Sequence, residues 1–293
     1  MTRREKRVRR RAAICAVLTM AALMTASSGA QARTVQLGSP LTAKFTPAHF
    51  ASLTCCIFGG GSLTLTPVTL VQTALPESGV NVTSPVDGTV ISYRLAAADG
   101  MFGIQVLRLS PTPPVPPTFR SQRGQSVATS APTPITASGV SRPIVTHLAL
   151  KKGDSVGIRN FPDDFFSDRI GSTKVVGDNW IGHGSSGGFY PEDGLINFWY
   201  PPLVDGAPLS DSGEMAAELG LQATVRYCKV PKLKGKSPKG ARKTLTKADC
   251  RVGKLKKTNK VRDRKEVVSQ SVKPGTAISD TQPINLKVSR QQG

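Results

Sequence analysis

Polar and apolar residues alternate in short runs over most of this chain, and helical spacing is nearly absent until about residue 237. The clearest alternations fall at 62–66, 89–95, 102–106 and 219–227. Successive side chains of a strand point to opposite sides. Ile91, Tyr93 and Leu95 therefore share one strand face, as do Leu219, Leu221, Ala223, Val225 and Tyr227 in the last run. Gly, Pro, Ser and Asp separate the runs. Strands with one apolar face at turn-marked spacing predict a two-sheet, jelly-roll-like β-sandwich over residues 33–227. The proline-rich stretch 111–117 reads as a surface loop, since each proline removes a ladder donor. Gly153-Asp154 reads as a tight turn into a strand at 155–158, and 157–194 is rich enough in Gly, Ser and Asp to hold large loops.

The period changes beyond Cys228. Ser237 is placed to cap a helix whose first position is Pro238, where a missing N–H costs nothing. Ala241, Leu245 and Ala248 follow at i, i+4 and i+7 as one apolar face, with Lys239, Lys243 and Lys247 as a basic row on the solvent side. The helix should end near Cys250. Strands are predicted around Val252 to Lys257, at 267–270 before the turn signal Pro274-Gly275, and at 284–288. The expected fold class is thus mainly β: the sandwich, then a small α+β module of one helix packed on a three-stranded sheet.

Charge separates the two parts. Residues 228–293 hold 19 Lys and Arg against 4 Asp and Glu, a net of +15, while 33–227 hold 13 against 14. The remaining excess lies in the first eleven residues, which open a segment with the three parts of a secretory signal. A basic stretch precedes an apolar run from Ala12 to about Ala26, too short for a permanent span of roughly 30 Å of hydrocarbon. Ala30-Gln31-Ala32 then offers a small-residue cleavage pattern. Residues 1–32 are read as a cleaved signal, with the mature chain exported and without a stable membrane span. Cleavage removes Cys15 and leaves Cys55, Cys56, Cys228 and Cys250, an even count that an oxidising compartment permits to pair.

The C-terminal residues resemble the PASTA domain, the module of penicillin-binding proteins and of the extracellular part of bacterial serine/threonine kinases. The likeness is carried by Val230-Pro231 with Leu233 and Gly235, the Ala241, Leu245 and Ala248 helix, Cys250-Arg251-Val252-Gly253, Val268-Ser269-Gln270-Ser271, Pro274-Gly275-Thr276 and Leu286-Lys287-Val288-Ser289. Val272 stands where the family often has proline. The resemblance implies a disulfide between Cys228 and Cys250. A domain this small is marginal on its own, and closing a loop of about twenty residues would add roughly 3 kcal/mol in the chain-entropy account. It also implies binding of cell-wall material without catalytic residues in the module. Independently of the family, a net +15 on 66 residues attracts polyanions at long range. The contact candidates are Lys239, Lys243, Lys247, Lys254, Lys256 and Lys257, the last three in a basic stretch running to Lys265. No specific nucleic-acid role is expected, because the segment has no aromatic residue for base stacking.

The larger part offers little chemistry. His49, His147 and His183 lack any paired spacing, and Asp163, Asp164 and Asp168 read as a solvated acidic loop rather than a calcium loop, so no metal and no cofactor is expected. Gly184-Ser185-Ser186-Gly187-Gly188 has the form of a nucleophile turn, but Gly187, Gly188 and Pro191 preclude the helix that must follow it. Trp199 and Tyr200 are candidates for stacking on a sugar ring, weighed against core packing. The expected protein is a secreted, non-enzymatic, cell-wall-associated binder of peptidoglycan or an anionic wall polymer. The alternatives are an adhesin, or a wall-glycan-acting enzyme drawing two carboxyls from residues such as Glu192, Asp193, Glu214 and Glu218.

Overall fold

A computed structural model describes residues 33–43, 45–49, 68–75, 77–111, 122–161, 169–172, 195–199, 202–208, 210–215 and 218–292. The expected signal segment, Cys55 and Cys56, and the predicted strand at 62–66 lie outside the described residues. The first strands are β1 (Arg33–Gly38), β2 (Thr46–His49), β3 (Thr69–Ala74) and β4 (Gly88–Pro111). They are followed by β5 (Gln122–Thr129), β6 (Thr133–Val140), β7 (Ile144–Leu150), β8 (Ser155–Asn160) and β9 (Arg169–Ser172). Next come β10 (Leu195–Trp199), β11 (Ser210–Asp211), β12 (Gly213–Met215) and β13 (Leu221–Lys229). The C-terminal part adds α1 (Pro238–Lys247), β14 (Val252–Arg262), β15 (Val267–Gln270), β16 (Ala277–Ser279) and β17 (Ile284–Gln291). The chain is mainly β, as expected, with one helix among the described residues.

The N-terminal strands join into one curled sheet whose spine is β4. The main path runs β1-β13-β4-β8-β3-β10-β12. The first half of β4 lies between β13, in the register Leu221↔Leu95 to Arg226↔Thr89, and β7, in the register Gly88↔Leu150 to Tyr93↔Ile144. Its second half pairs with β8 on one side and with β6 and β5 on the other. Alternation alone predicts two separate runs here, at 89–95 and 102–106. The structure bends the strand instead of breaking it. Ala97 at φ 47° and Gly100 at φ 132° supply the bend, and the small, buried side chains of Ala96, Ala97 and Ala98 let the backbone pass through without a loop.

Both halves of β4 bury side chains in one core. Val90, Tyr93, Leu95, Ala223 and Val225 from the first half-sheet join Phe102, Ile104, Val106, Ile158 and Ile196 from the second. Ile91 is only half-buried while Val90 is fully buried. The register irregularities opposite this stretch, between Thr224 and Val225 and between Val90 and Ser92, account for the shifted alternation. A smaller cluster of Val71, Leu107, Trp199 and Leu203 lies beside this core. The Trp199 ring lies on the backbone of Gly124, where an added Cβ would come within 2.5 Å of it.

Strand β13 carries the chain from the large core to the C-terminal one. Leu221, Ala223 and Val225 are buried in the large core, as their alternation predicts. At Arg226 and Tyr227, both half-buried, the phase changes, and Cys228 and Val230 enter a second core instead. There Tyr227, Cys228 and Lys229 pair with Ser279, Ile278 and Ala277 of β16. One strand thus runs through the boundary expected at Tyr227-Cys228 and serves a different core on each side of it.

Candidate functional site

The basic C-terminal module is built around a core of Cys228, Val230, Leu233, Ala241, Leu245, Cys250, Val267, Ile278, Ile284, Leu286 and Val288. Helix α1 starts as its sequence predicts: Ser237 is extended and its hydroxyl accepts from Gly240 N at 3.1 Å, with Pro238 opening the helix. Ala241 and Leu245 are fully buried. Lys239, Lys243 and Lys247 stand on the opposite face, all exposed. The helix ends where Asp249 takes φ 51° and Cys250 N donates to Leu245 O at 3.0 Å. Cys228 and Cys250 form a disulfide with a Cα separation of 5.1 Å, tying the end of the helix to β13.

The module's own sheet has the order β14-β17-β15, with β14 and β17 parallel and β15 antiparallel to β17. Sequence reasoning ends the first of these strands near Lys257, whereas β14 continues to Arg262, still paired with β17 at Val261↔Arg290 and Arg262↔Gln291. The continuation is hard to read because it has no apolar alternation: Val261 is its one apolar residue and is exposed, and the rest are polar or charged. At the start of β14, Gly253 fits against Asn285, whose Oδ1 lies 2.4 Å from where a Cβ would be. That oxygen accepts from Lys254 N at 2.7 Å. Lys254, Lys256 and Lys257 are exposed on this edge strand, and α1 packs beside it. Behind them, Gln270 fastens the entry segment: its Oε1 accepts from Leu233 N, and its Nε2 donates to Pro231 O and Val272 O.

The module's few acids are partly withdrawn from its outer surface. Asp280, with a side chain 8% exposed, faces the large sheet, where its carboxylate accepts from Arg226 Nε at 2.6 Å and Thr89 Oγ1 at 2.6 Å. Glu266 lies 3.8 Å from Arg262. Of the four acidic residues only Asp249 and Asp263 are without a partner of this kind, and the exposed lysines face solvent with little to balance them.

The other candidates are dispersed. Trp199 is 1% exposed, and its indole Nε1 donates to Ser210 O at 2.9 Å, so it takes the core-packing role and offers no face to a sugar. Its neighbour Tyr200 lies outside the described residues, as do Asp163, Asp164, Asp168, His183, Ser185, Glu192 and Asp193. His147 is exposed on β7. His49 and Glu214 lie on β2 and β12 with side chains outside the described set. Glu218 is 2% exposed beside β13. Burial pushes its carboxyl above the usual range and the like charge of Glu77 adds to this, while a hydrogen bond with Ser39 opposes it. No group of three metal-ligating side chains occurs among the described residues, and no described helix is long and apolar enough to cross a membrane.

A helix on a three-stranded sheet, stapled by a disulfide and with exposed lysines on both the helix and the edge strand, defines a small module at the end of a mainly β chain. Residues 229–290 match the family model of the PASTA domain, so this module is a PASTA domain. No curated protein and no solved structure matches the chain. A PASTA domain points to cell-wall or peptidoglycan-related binding in general.

Proposed function

We propose that the protein is a secreted, non-enzymatic, cell-wall-associated binder that holds peptidoglycan or an anionic wall polymer through its basic PASTA domain. The observation that carries this reading is the charge arrangement: six exposed lysines on α1 and β14, with Asp280 turned away into the large sheet. Export is supported by the signal-like residues 1–32 and by the disulfide, which persists in oxidising compartments. Glu218, the one enzyme candidate whose side chain is described, is buried where it cannot meet a glycan.

The test is co-sedimentation of the mature protein with purified cell wall over a salt series. Exposed charges more than about 10 Å apart are screened near 0.1 M salt, so the bound fraction is expected to fall steeply as ionic strength rises. Binding indifferent to salt would count against the basic module. Release of soluble muropeptides during the incubation would overturn the non-enzymatic reading.

A further inference from the structure

The exposed lysines of the PASTA domain stand on two opposite faces around its core. On α1, Ala241 and Leu245 enter that core, and Lys239 and Lys243, about half a turn round the helix from them, point away from it. On the sheet, Ile284, Leu286 and Val288 of β17 and Leu255 of β14 turn to the same core. Alternation therefore sends Lys254, Lys256 and Lys287 to the outer face of the sheet, together with Asn285, and all four are exposed. Helix and sheet lie between the two sets of charges. α1, β14, β15 and β17 contain no acidic residue.

Both faces set like charges side by side. Lys256 and Lys287 are register partners in the parallel pair of β14 and β17, on strands about 4.8 Å apart. Lys239, Lys243 and Lys247 follow at four-residue steps on α1, the spacing at which like charges repel along a helix. Such pairs destabilise the free module, and an anion laid over each of them relieves the repulsion. A helix with its side chains is about 10 Å across, so the two faces lie farther apart than the Debye length of about 8 Å at physiological ionic strength. Each face attracts its own anion. Residues 33–227, with 13 basic against 14 acidic side chains, offer no comparable charge.

We infer that the PASTA domain is a bridge: the outer face of α1 holds one segment of an anionic wall polymer while the outer face of β14 and β17 holds another, so that a single module joins the two. Opposed faces cannot lie on one flat surface together, and the second is left open to a second segment. This assignment rests on the wall-binding reading above and adds a cross-linking role to it.

The experiment immobilises sonicated cell-wall fragments, saturates them with the full mature protein, and measures capture of a second, fluorescently labelled portion of the same fragments. The parent protein is expected to capture them. The variants K239Q/K243Q and K256Q/K287Q each cut the charge of one face and remove a repulsion, so both should fold as the parent does. Each should still bind the immobilised wall, with a loss of only about twofold because the altered face added no avidity on one surface. Capture should fall about tenfold, the order of affinity that two basic residues contribute near an anionic surface. Wall binding by the parent without capture overturns the bridge and leaves wall binding standing, whereas failure to bind wall at all overturns both. Undiminished capture by either variant, or loss of all wall binding in one of them, also overturns the bridge. An equimolar mixture of the two variants should capture no better than either alone. Restored capture in the mixture would assign the joining to pairs of molecules and overturn the single-module bridge.

Discussion

Among single residues, Glu218 has the clearest consequence for stability. Its carboxyl is buried near Glu77 and holds its proton to higher pH in the folded chain than in the unfolded one. The folded state therefore binds the extra proton between the ordinary glutamate value of 4.5 and the raised one. Across that window stability falls as pH rises, because the folded state alone is penalised for losing the proton. The isosteric variant Glu218→Gln removes the charge and keeps the shape. It is expected to be more stable than the parent at pH 7, with the difference closing as pH drops below 4.5. Urea denaturation at a series of pH values measures this, and an unchanged difference across the series would show that the charge is not the cause. Periodicity places Glu218 at the foot of a strand and says nothing of Glu77, more than a hundred residues earlier, so this pairing is invisible until the sheet is assembled.

At the scale of elements, α1 has the most direct line from sequence to stability. Ser237→Ala removes the hydroxyl that accepts from Gly240 N and should cost about 1 kcal/mol, the usual value of an N-cap. A midpoint shift in denaturant without a change of slope would check it. Helix α1, β15 and the core of β17 were legible because each joins a local signal to an apolar pattern: a cap with proline after it, or alternation ended by a turn. The far half of β14 was not legible, since its order comes from pairing with β17 and its one apolar residue, Val261, is exposed. The long β4 was misjudged for a related reason. The alternation lapses between 95 and 102, and only the strands on both sides of the spine hold that stretch in a continuous bend. Trp199 was legible as a large aromatic near strand residues, but its role depended on Gly124, which leaves room for the ring only once β5 lies across it. The lysines of the candidate site were all visible in the sequence. The withdrawal of Asp280 was not, because its partner Arg226 lies 54 positions away on another element.

On the scale of the whole molecule, the two cores share β13, the Asp280 contacts with Arg226 and Thr89, and the pairing of β13 with β16. The disulfide holds Cys250 to the same strand. The module and the large sheet are therefore expected to open together. In hydrogen exchange, the amides of Ile104 to Val106 in the large core and of Leu286 to Val288 in the module should lose protection at the same denaturant concentration. Loss in the module well before the large core would show that the shared strand does not couple them.

The path of β13 also determines how a mechanical load would travel. A pull applied to the PASTA domain through a bound ligand would enter β13 at Cys228, where the disulfide also joins it. The strand is flanked by antiparallel ladders to β1 and β4 along most of its length. Load along a strand strains its lateral hydrogen bonds in shear, so they resist together rather than opening one by one as in peeling. The module is anchored less like a bead on a string than like a rod set in masonry.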